Sequence, residues 1–252
     1  MNFVWFYAKQ FSSWDKSGYF NELDYSIRSV RKNYQGDVRC YVIGDVPIPV
    51  LDVIHIEAPP VVMVDKVTGQ PRQKDHNKKY DVVLNTPEIN EEFVLMWDDI
   101  YILKPTTRTQ IATTYGRCEV TNPYEYIKTR SGGRPYKQLW VATYEYILAY
   151  KKRQGLKMYD WEQHMPKFME KGNLSKLMDD HYMRDIPKLV TGMYMAYYGG
   201  ETTIMPEGFQ ADLYDHHPGL DFDKAFEAHH MNIGDNVIVP ELVDRMIKRF
   251  GA

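Results

Sequence analysis

Short apolar runs bounded by polar or turn-forming residues punctuate the first hundred positions, and each is the length of a strand. FVWFY at Phe3 to Tyr7 is apolar and aromatic throughout, as a strand buried on both faces requires. NELDYSIRSVRKNY then places Leu23, Ile27 and Val30 at helical spacing and leaves Arg28, Arg31 and Lys32 for solvent. VRCYVIGD reads as a second buried strand ending in a Gly-Asp turn. A third lies around Val53 to Ile56, between prolines that exclude a helix. A helix over about Asn77 to Asn85 leads to EEFVLMWDDIYILKP, Glu91 to Pro105, where two acids interrupt two strand-like runs.

The second half is less regular. QLWVATYEYILAYKKRQG has helical spacing and closes on Lys151, Lys152, Arg153 and Gly155, the residues a helix C-terminus prefers. KTRSGGRPYK before it reads as a basic loop hinged at Gly132 and Gly133, able to close over a diphosphate or grip a nucleic acid backbone. Further helices are expected over Ser175 to Asp185, Lys188 to Tyr198 and VPELVDRMIKRFG, where Pro240 and Gly251 bracket the last one. Strand, helix, strand, strand is how a nucleotide-binding α/β sheet begins. The expectation is one domain over 1–252, with a nucleotide-binding half at 1–105 and an acceptor-side half at 106–252.

Composition narrows the function classes. With 31 basic and 34 acidic residues the net charge is −3, so the chain lacks the global basic field of a dedicated nucleic-acid binder. Its two cysteines, Cys40 and Cys118, form no ligand spacing and read as free thiols. No segment reaches the ~20 apolar residues of a spanning helix, and no membrane association is expected. The expected location is cytoplasmic.

The chemistry concentrates at Asp98 and Asp99. Buried carboxylates cost several kcal/mol when left unpaired, so two of them between apolar runs imply a cation. At the carboxyl edge of a sheet they suit Mg²⁺ or Mn²⁺, which bridges carboxylates to diphosphate oxygens and neutralises a departing nucleotide. That is the role of the acidic motif in GT-A-type glycosyltransferases, whose fold is a mixed central sheet flanked by helices. On this reading Asp99 ligates the metal and Asp98 holds the metal or the donor ribose. Arg72, Lys74 and Asn77, just ahead in PRQKDHNKKYD, reach the donor phosphates and sugar, while Lys78 and Lys79 are expected in solvent.

NELDYSIRSVRKNYQGDVRCYVIGDVPIP resembles the E-L-R-Y-S-L-R-S-like region of the Stealth family of sugar-phosphate transferases, and EEFVLMWDDIYILKP resembles that family's F-x-x-x-N-D-D-x-F-x-x-x-P segment. WEQHMPKFMEK is similar to its H-x-P element, and HHMNIGDN with LVDRMIKRF to its closing segment and helix. The resemblance implies a GT-A-like fold, a nucleotide-sugar donor (a UDP-sugar foremost) and transfer of a sugar phosphate. Trp97 stands where the family has Asn, and FVWFYAKQFSSW lacks its acidic opening, so plain glycosyl transfer to a hydroxyl is the expectation taken here. Sugar-phosphate transfer is one alternative; modified bases in DNA, in place of a glycan acceptor, are another. A non-catalytic carbohydrate- or nucleotide-binding protein, with 20 tyrosines and 5 tryptophans for stacking, is the alternative of a different class. His164, in the H-x-P element, is the expected base, with Asp180 of LMDDHYMRD in reserve. Among His216, His217, His229 and His230, the last is taken to complete the metal shell.

Overall fold

A computed structural model describes residues 1–8, 21–45, 52–60, 71–130, 134–184, 188–215 and 220–251; the side chains at 71–74, 134, 215, 235 and 236 stand outside that description. The opening apolar run is β1 (Asn2–Tyr7), buried along its whole length. The helix α1 (Glu22–Asn33) follows. Asn21 caps it by accepting from the Asp24 backbone N–H at 3.2 Å, and Leu23, Ile27 and Val30 are buried while Arg31 and Lys32 are exposed. β2 (Arg39–Gly44), β3 (Val53–Glu57), α2 (Pro71–Asn85), β4 (Glu92–Met96) and β5 (Ile100–Ile102) complete this half.

The main sheet has the order β3-β2-β1-β4, all parallel, with β7 (Lys167–Glu170) added antiparallel beyond β4. The chain leaves β1 toward β2 and β3 and returns on the other side as β4. Between β1 and β4 the order therefore reverses, and open α/β sheets bind ligands at the carboxyl ends of strands beside such a reversal. Alternation along the strands builds two cores. Val4, Phe6, Tyr41, Ile43, Phe93 and Leu95 face the larger one, and Phe3, Trp5, Val42, Val94 and Met96 face the one under α1.

β5 does not join this sheet. Its free edge meets α1, where Ser26 Oγ donates to Ile100 O at 2.6 Å, Ser29 Oγ accepts from Ile102 N at 3.0 Å and Asn33 Nδ2 donates to Ile102 O at 2.6 Å. Ser26 also accepts from Trp5 Nε1 at 2.9 Å. A polar stripe on an otherwise apolar helix face thus satisfies a strand edge that would carry unpaired backbone groups, and it anchors the segment immediately after Asp98 and Asp99.

In the second half, α3 (Arg108–Ala112), β6 (Thr114–Gly116), α4 (Pro123–Lys128) and α5 (Arg134–Arg153) precede β7. Arg134 to Lys137 belong to the first turn of α5 and not to the loop expected there; Gly132 and Gly133 lie outside the described residues. α6 (Lys171–Asp180), α7 (Val190–Tyr198), β8 (Thr202–Ile204), β9 (Gln210–Asp215), α8 (Phe222–Phe226), β10 (His230–Asn236) and α9 (Pro240–Phe250) follow. β10 lies between β5, antiparallel, and β9, parallel, in a second sheet absent from the sequence reading; α9 ends at Gly251 with φ 85°, as expected of that glycine. No helix among the described residues is long and apolar enough to cross a membrane.

Candidate functional site

The carboxyl ends of β1 and β4 open into a cleft of about 480 Å³. Phe6 of β1 and Ala8 just after it, Trp97, Asp98 and Asp99 just after β4, and Asp75, His76, Lys79 and Tyr80 from α2 line one side. Glu162, Gln163 and His164, from the loop ahead of β7, and Leu189, Val190 and Thr191, from the start of α7, line the other. A volume of this order holds a small ligand of nucleotide size.

Asp98 and Asp99 form the turn between β4 and β5, half-buried at the cleft. The turn is fixed from both sides: Ile100 N donates to Trp97 O at 3.2 Å, and Ile233 N, from β10, donates to Asp99 O at 3.3 Å. His164 Nδ1 lies 2.8 Å from Asp99 Oδ2. Asp99 Oδ1 is buried with no hydrogen-bond partner among the described residues. Removal from bulk water works against a charged His164, but the adjacent Asp99 charge and hydrogen bond, helped by Asp212 and Glu162, outweigh it and raise its pKa above the ordinary histidine value.

The loop carrying His164 is itself tied down by a fully buried acid. Asp160 accepts from Tyr126 Oη at 2.8 Å, from Tyr144 Oη at 3.3 Å and from the Glu162 backbone N–H at 3.1 Å, and it faces Arg130 at 3.6 Å. Gln210 Nε2 reaches the His164 carbonyl at 3.0 Å from β9. Three segments distant in sequence therefore set the position of one histidine.

Of the expected donor ligands, Asp98 lines the cleft, but Asn77 does not. Asn77 is buried and donates to Met183 O at 2.6 Å, holding α2 to the segment after α6. The side chains of Arg72 and Lys74 lie outside the description, as do His216 and His217 altogether. Lys78 is exposed, as expected, yet Lys79 is not: it is 2% exposed, pairs with Asp75 at 2.5 Å and donates to Tyr7 O at 2.9 Å. Helical spacing explains this correction, because positions 75, 76, 79, 80 and 83 share the face that α2 turns to the sheet. That face also sets His76 against Trp97, ring centroids 4.8 Å apart, with Phe6 edge-on to Trp97 at 6.0 Å.

Asp180 stands exposed at the end of α6, whose buried stripe is Leu174, Leu177 and Met178, and it does not line the cleft. His230 is also not brought to the acids. It sits opposite Ile102 in the β5–β10 ladder, 4% exposed, while Ile233 and Gly234, further along β10, reach the cleft. Burial first, then the charges of His229 and Lys167, depress its pKa to about 3. Among the described residues no group of three or more His, Cys, Asp or Glu side chains is arranged to hold a metal alone. The aspartate pair, with an orphaned oxygen on Asp99, fits instead the kind of Mg²⁺ or Mn²⁺ site that takes one or two carboxylates and is completed by substrate phosphates and water.

Glu162, Thr191 and the Asp75–Lys79 pair went unrecognised in the sequence. Glu162 lies inside the quoted WEQHMP stretch, two residues from His164, but nothing in the pattern distinguishes it from a solvated acid.

No protein-family model and no curated protein sequence matches the chain. Among solved structures, the bifunctional glycosyltransferase WbbM in its apo form superposes with a TM-score of 0.53 at 9% identity over 99% of this chain and 49% of that one. The galactosyltransferase LgtC, in complex with donor and acceptor sugar analogues, gives a TM-score of 0.48 at 8% identity over 100% and 95% of the two chains. Mouse xyloside xylosyltransferase 1 gives 0.42 at 9% identity over 95% and 100%. The expected mixed sheet with flanking helices is thus the fold this chain has, and it is GT-A-like.

Proposed function

We propose that the chain is a glycosyltransferase that moves a sugar from a nucleotide-sugar donor, a UDP-sugar foremost, to an acceptor hydroxyl, with a divalent ion held by Asp98 and Asp99. The observation that carries this reading is the charge of the cleft. Glu22, Asp75, Asp98, Asp99 and Glu162 line it, against Lys79 as the one lysine or arginine among the described lining residues, and Lys79 is already paired with Asp75. These described lining residues by themselves repel a diphosphate, and a cation placed on the acids offsets that. The GT-A-like fold supports the same choice of ligand.

When bound, Mg²⁺ or Mn²⁺ would supply charge neutralisation of the leaving diphosphate. The rest falls to the chain. Trp97, backed by His76 and Phe6, offers an aromatic wall for a planar or pyranose ring. His164 orients Asp99 through Oδ2 and leaves Oδ1 without a protein partner among the described residues, and this positioning role replaces the expected role of base. The α1 serines hold β5, and through it the Asp98–Asp99 turn, against recoil when charge arrives.

The test is a thermal-shift panel of nucleotide sugars with and without Mn²⁺, followed by chromatography of the released nucleotide. Stabilisation by a UDP-sugar only with the metal, release of UDP, and loss of both in Asp99→Asn are the expected results. Release of UMP would assign sugar-phosphate transfer instead. No donor response under any condition would refute the reading.

A further inference from the structure

The loop that brings His164 to Asp99 carries a second carboxylate into the cleft. Both oxygens of Glu162 lie within reach of Thr191 Oγ1, at 2.8 and 2.9 Å, and the Gly192 backbone N–H also bonds to it. These donors sit in the first turn of α7, whose N-cap, Leu189, makes no side-chain cap. Glu162 therefore provides, from another segment, the anion that a helix start usually finds in its own capping residue. Gly192 permits the approach, since a Cβ there would stand 2.6 Å from Glu162 Oε1.

A cap alone does not account for its environment. An ionised carboxylate offers about four acceptor positions, and the Thr191 and Gly192 donors occupy two. Lys167, the cation whose charge Glu162 feels, spends its Nζ on Trp161 O at 2.7 Å and Gln163 Oε1 at 3.3 Å. Glu162 lines the cleft beside Gln163 and His164, on the wall opposite Asp99. Burial raises its proton affinity, and the Thr191 hydrogen bond and Lys167 charge offset only part of that rise. A group that accepts a proton during turnover needs this combination of a fixed position and a raised affinity.

Resting on the glycosyltransferase reading, we propose that Glu162 is the catalytic base that takes the proton of the acceptor hydroxyl. The acceptor oxygen forms its bond to C1 of the donor sugar as the bond from C1 to the diphosphate oxygen breaks. The electron pair of that bond leaves with the nucleoside diphosphate, and the hydroxyl proton passes to a Glu162 oxygen. Thr191 and Gly192 hold the carboxylate in place, and His164 remains with Asp99.

Two variants test this with UDP-glucose and UDP-galactose as donors, Mn²⁺ present and water as the acceptor. Glu162→Gln keeps the size and an acceptor oxygen for Thr191 and Gly192, so the protein stays folded with the donor-induced thermal shift retained, and Tm falls only by the neighbouring charge that Lys167 loses. Its kcat falls by about 100-fold or more, with KM for the donor unchanged, because a positioned base contributes roughly 10²–10⁴ in rate. Gly192→Ala displaces the flexible carboxylate while leaving the backbone, and kcat falls with Tm retained. Wild-type turnover in both variants, with Asp99→Asn inactive, would reduce Glu162 to a helix cap and leave the glycosyltransferase reading standing. A glycosyl adduct on Glu162 in the intact mass would make it the nucleophile and overturn the assignment. Absence of both a donor-induced shift and nucleotide release from the wild-type enzyme across the whole nucleotide-sugar panel would overturn both.

Discussion

Asp160 is the residue on which the geometry of the cleft wall depends most directly. It is fully buried and accepts from two tyrosine hydroxyls and the Glu162 backbone, beside a guanidinium whose side chain is 15% exposed. Asp160→Ala removes one member of a buried ion pair, which costs about 3–5 kcal/mol, and orphans donors worth about 1 kcal/mol or more apiece. At about 2–4 °C per kcal/mol for a chain of this size, Tm falls by about 10 °C or more. Asp160→Asn keeps an acceptor for Tyr126 or Tyr144 and loses only the charge, so its loss is smaller. Arg130→Met combined with Asp160→Asn recovers part of the single-variant losses, because removing both charges leaves neither unpaired. Circular-dichroism melts of the wild type, Asp160→Ala, Asp160→Asn, Arg130→Met and the double variant measure the coupling, and UDP release at a temperature where all are folded reports on Glu162 and His164. A Tm loss under about 3 °C for Asp160→Ala, or strict additivity in the cycle, would refute the assignment of Asp160 as the organiser of this loop.

Two buried groups predict the pH dependence of stability. Lys167 has a pKa lowered by burial to about 8 against an ordinary 10.5, so between these values the unfolded chain holds more protons and stability rises with pH. Lys167→Met should abolish that rise in urea melts run from pH 7.5 to 10; an unchanged slope would contradict the buried amine. His230, neutral down to about pH 3 in the folded chain against an ordinary 6.5, contributes a loss of stability as pH falls below 6.5. By pH 5 that loss is about 2 kcal/mol at 1.36 kcal/mol per unit, and His230→Leu should flatten the acid limb of Tm against pH while leaving donor binding intact. Loss of the Mn²⁺-dependent donor shift in His230→Leu would return His230 to the metal site.

Much of the first half was legible in the sequence because its signals are local. FVWFY, VRCYVIG and EFVLM are apolar on both faces, as only central strands of a covered sheet are, and Leu23, Ile27 and Val30 mark a helix by spacing alone. The acids at 98 and 99 announced a site for the same reason: their cost is local, whatever surrounds them. β9 and β10 escaped notice because polar and apolar residues alternate there around a shared ladder. Gln210, Asp212, His230 and Asn232 fall on one face and Leu213, Met231 and Ile233 on the other, and the burial of polar His230 and Asn232 becomes evident only once the partner strands are known. That ladder, in turn, carries His230 away from the acids.

Strand identity, helix spacing and the position of the paired acids thus follow from the order of residues, since each depends on neighbours within a few positions. Which groups meet those acids does not. Lys79 against Asp75 and the end of β1, Glu162 at the start of α7, and His164 on Asp99 are each made by contacts between segments far apart in the chain or by the face a helix turns inward. Burial, and with it the proton affinity of each group, is a property of the packed assembly, so folding decides which of several acids and histidines of similar sequence character become chemistry.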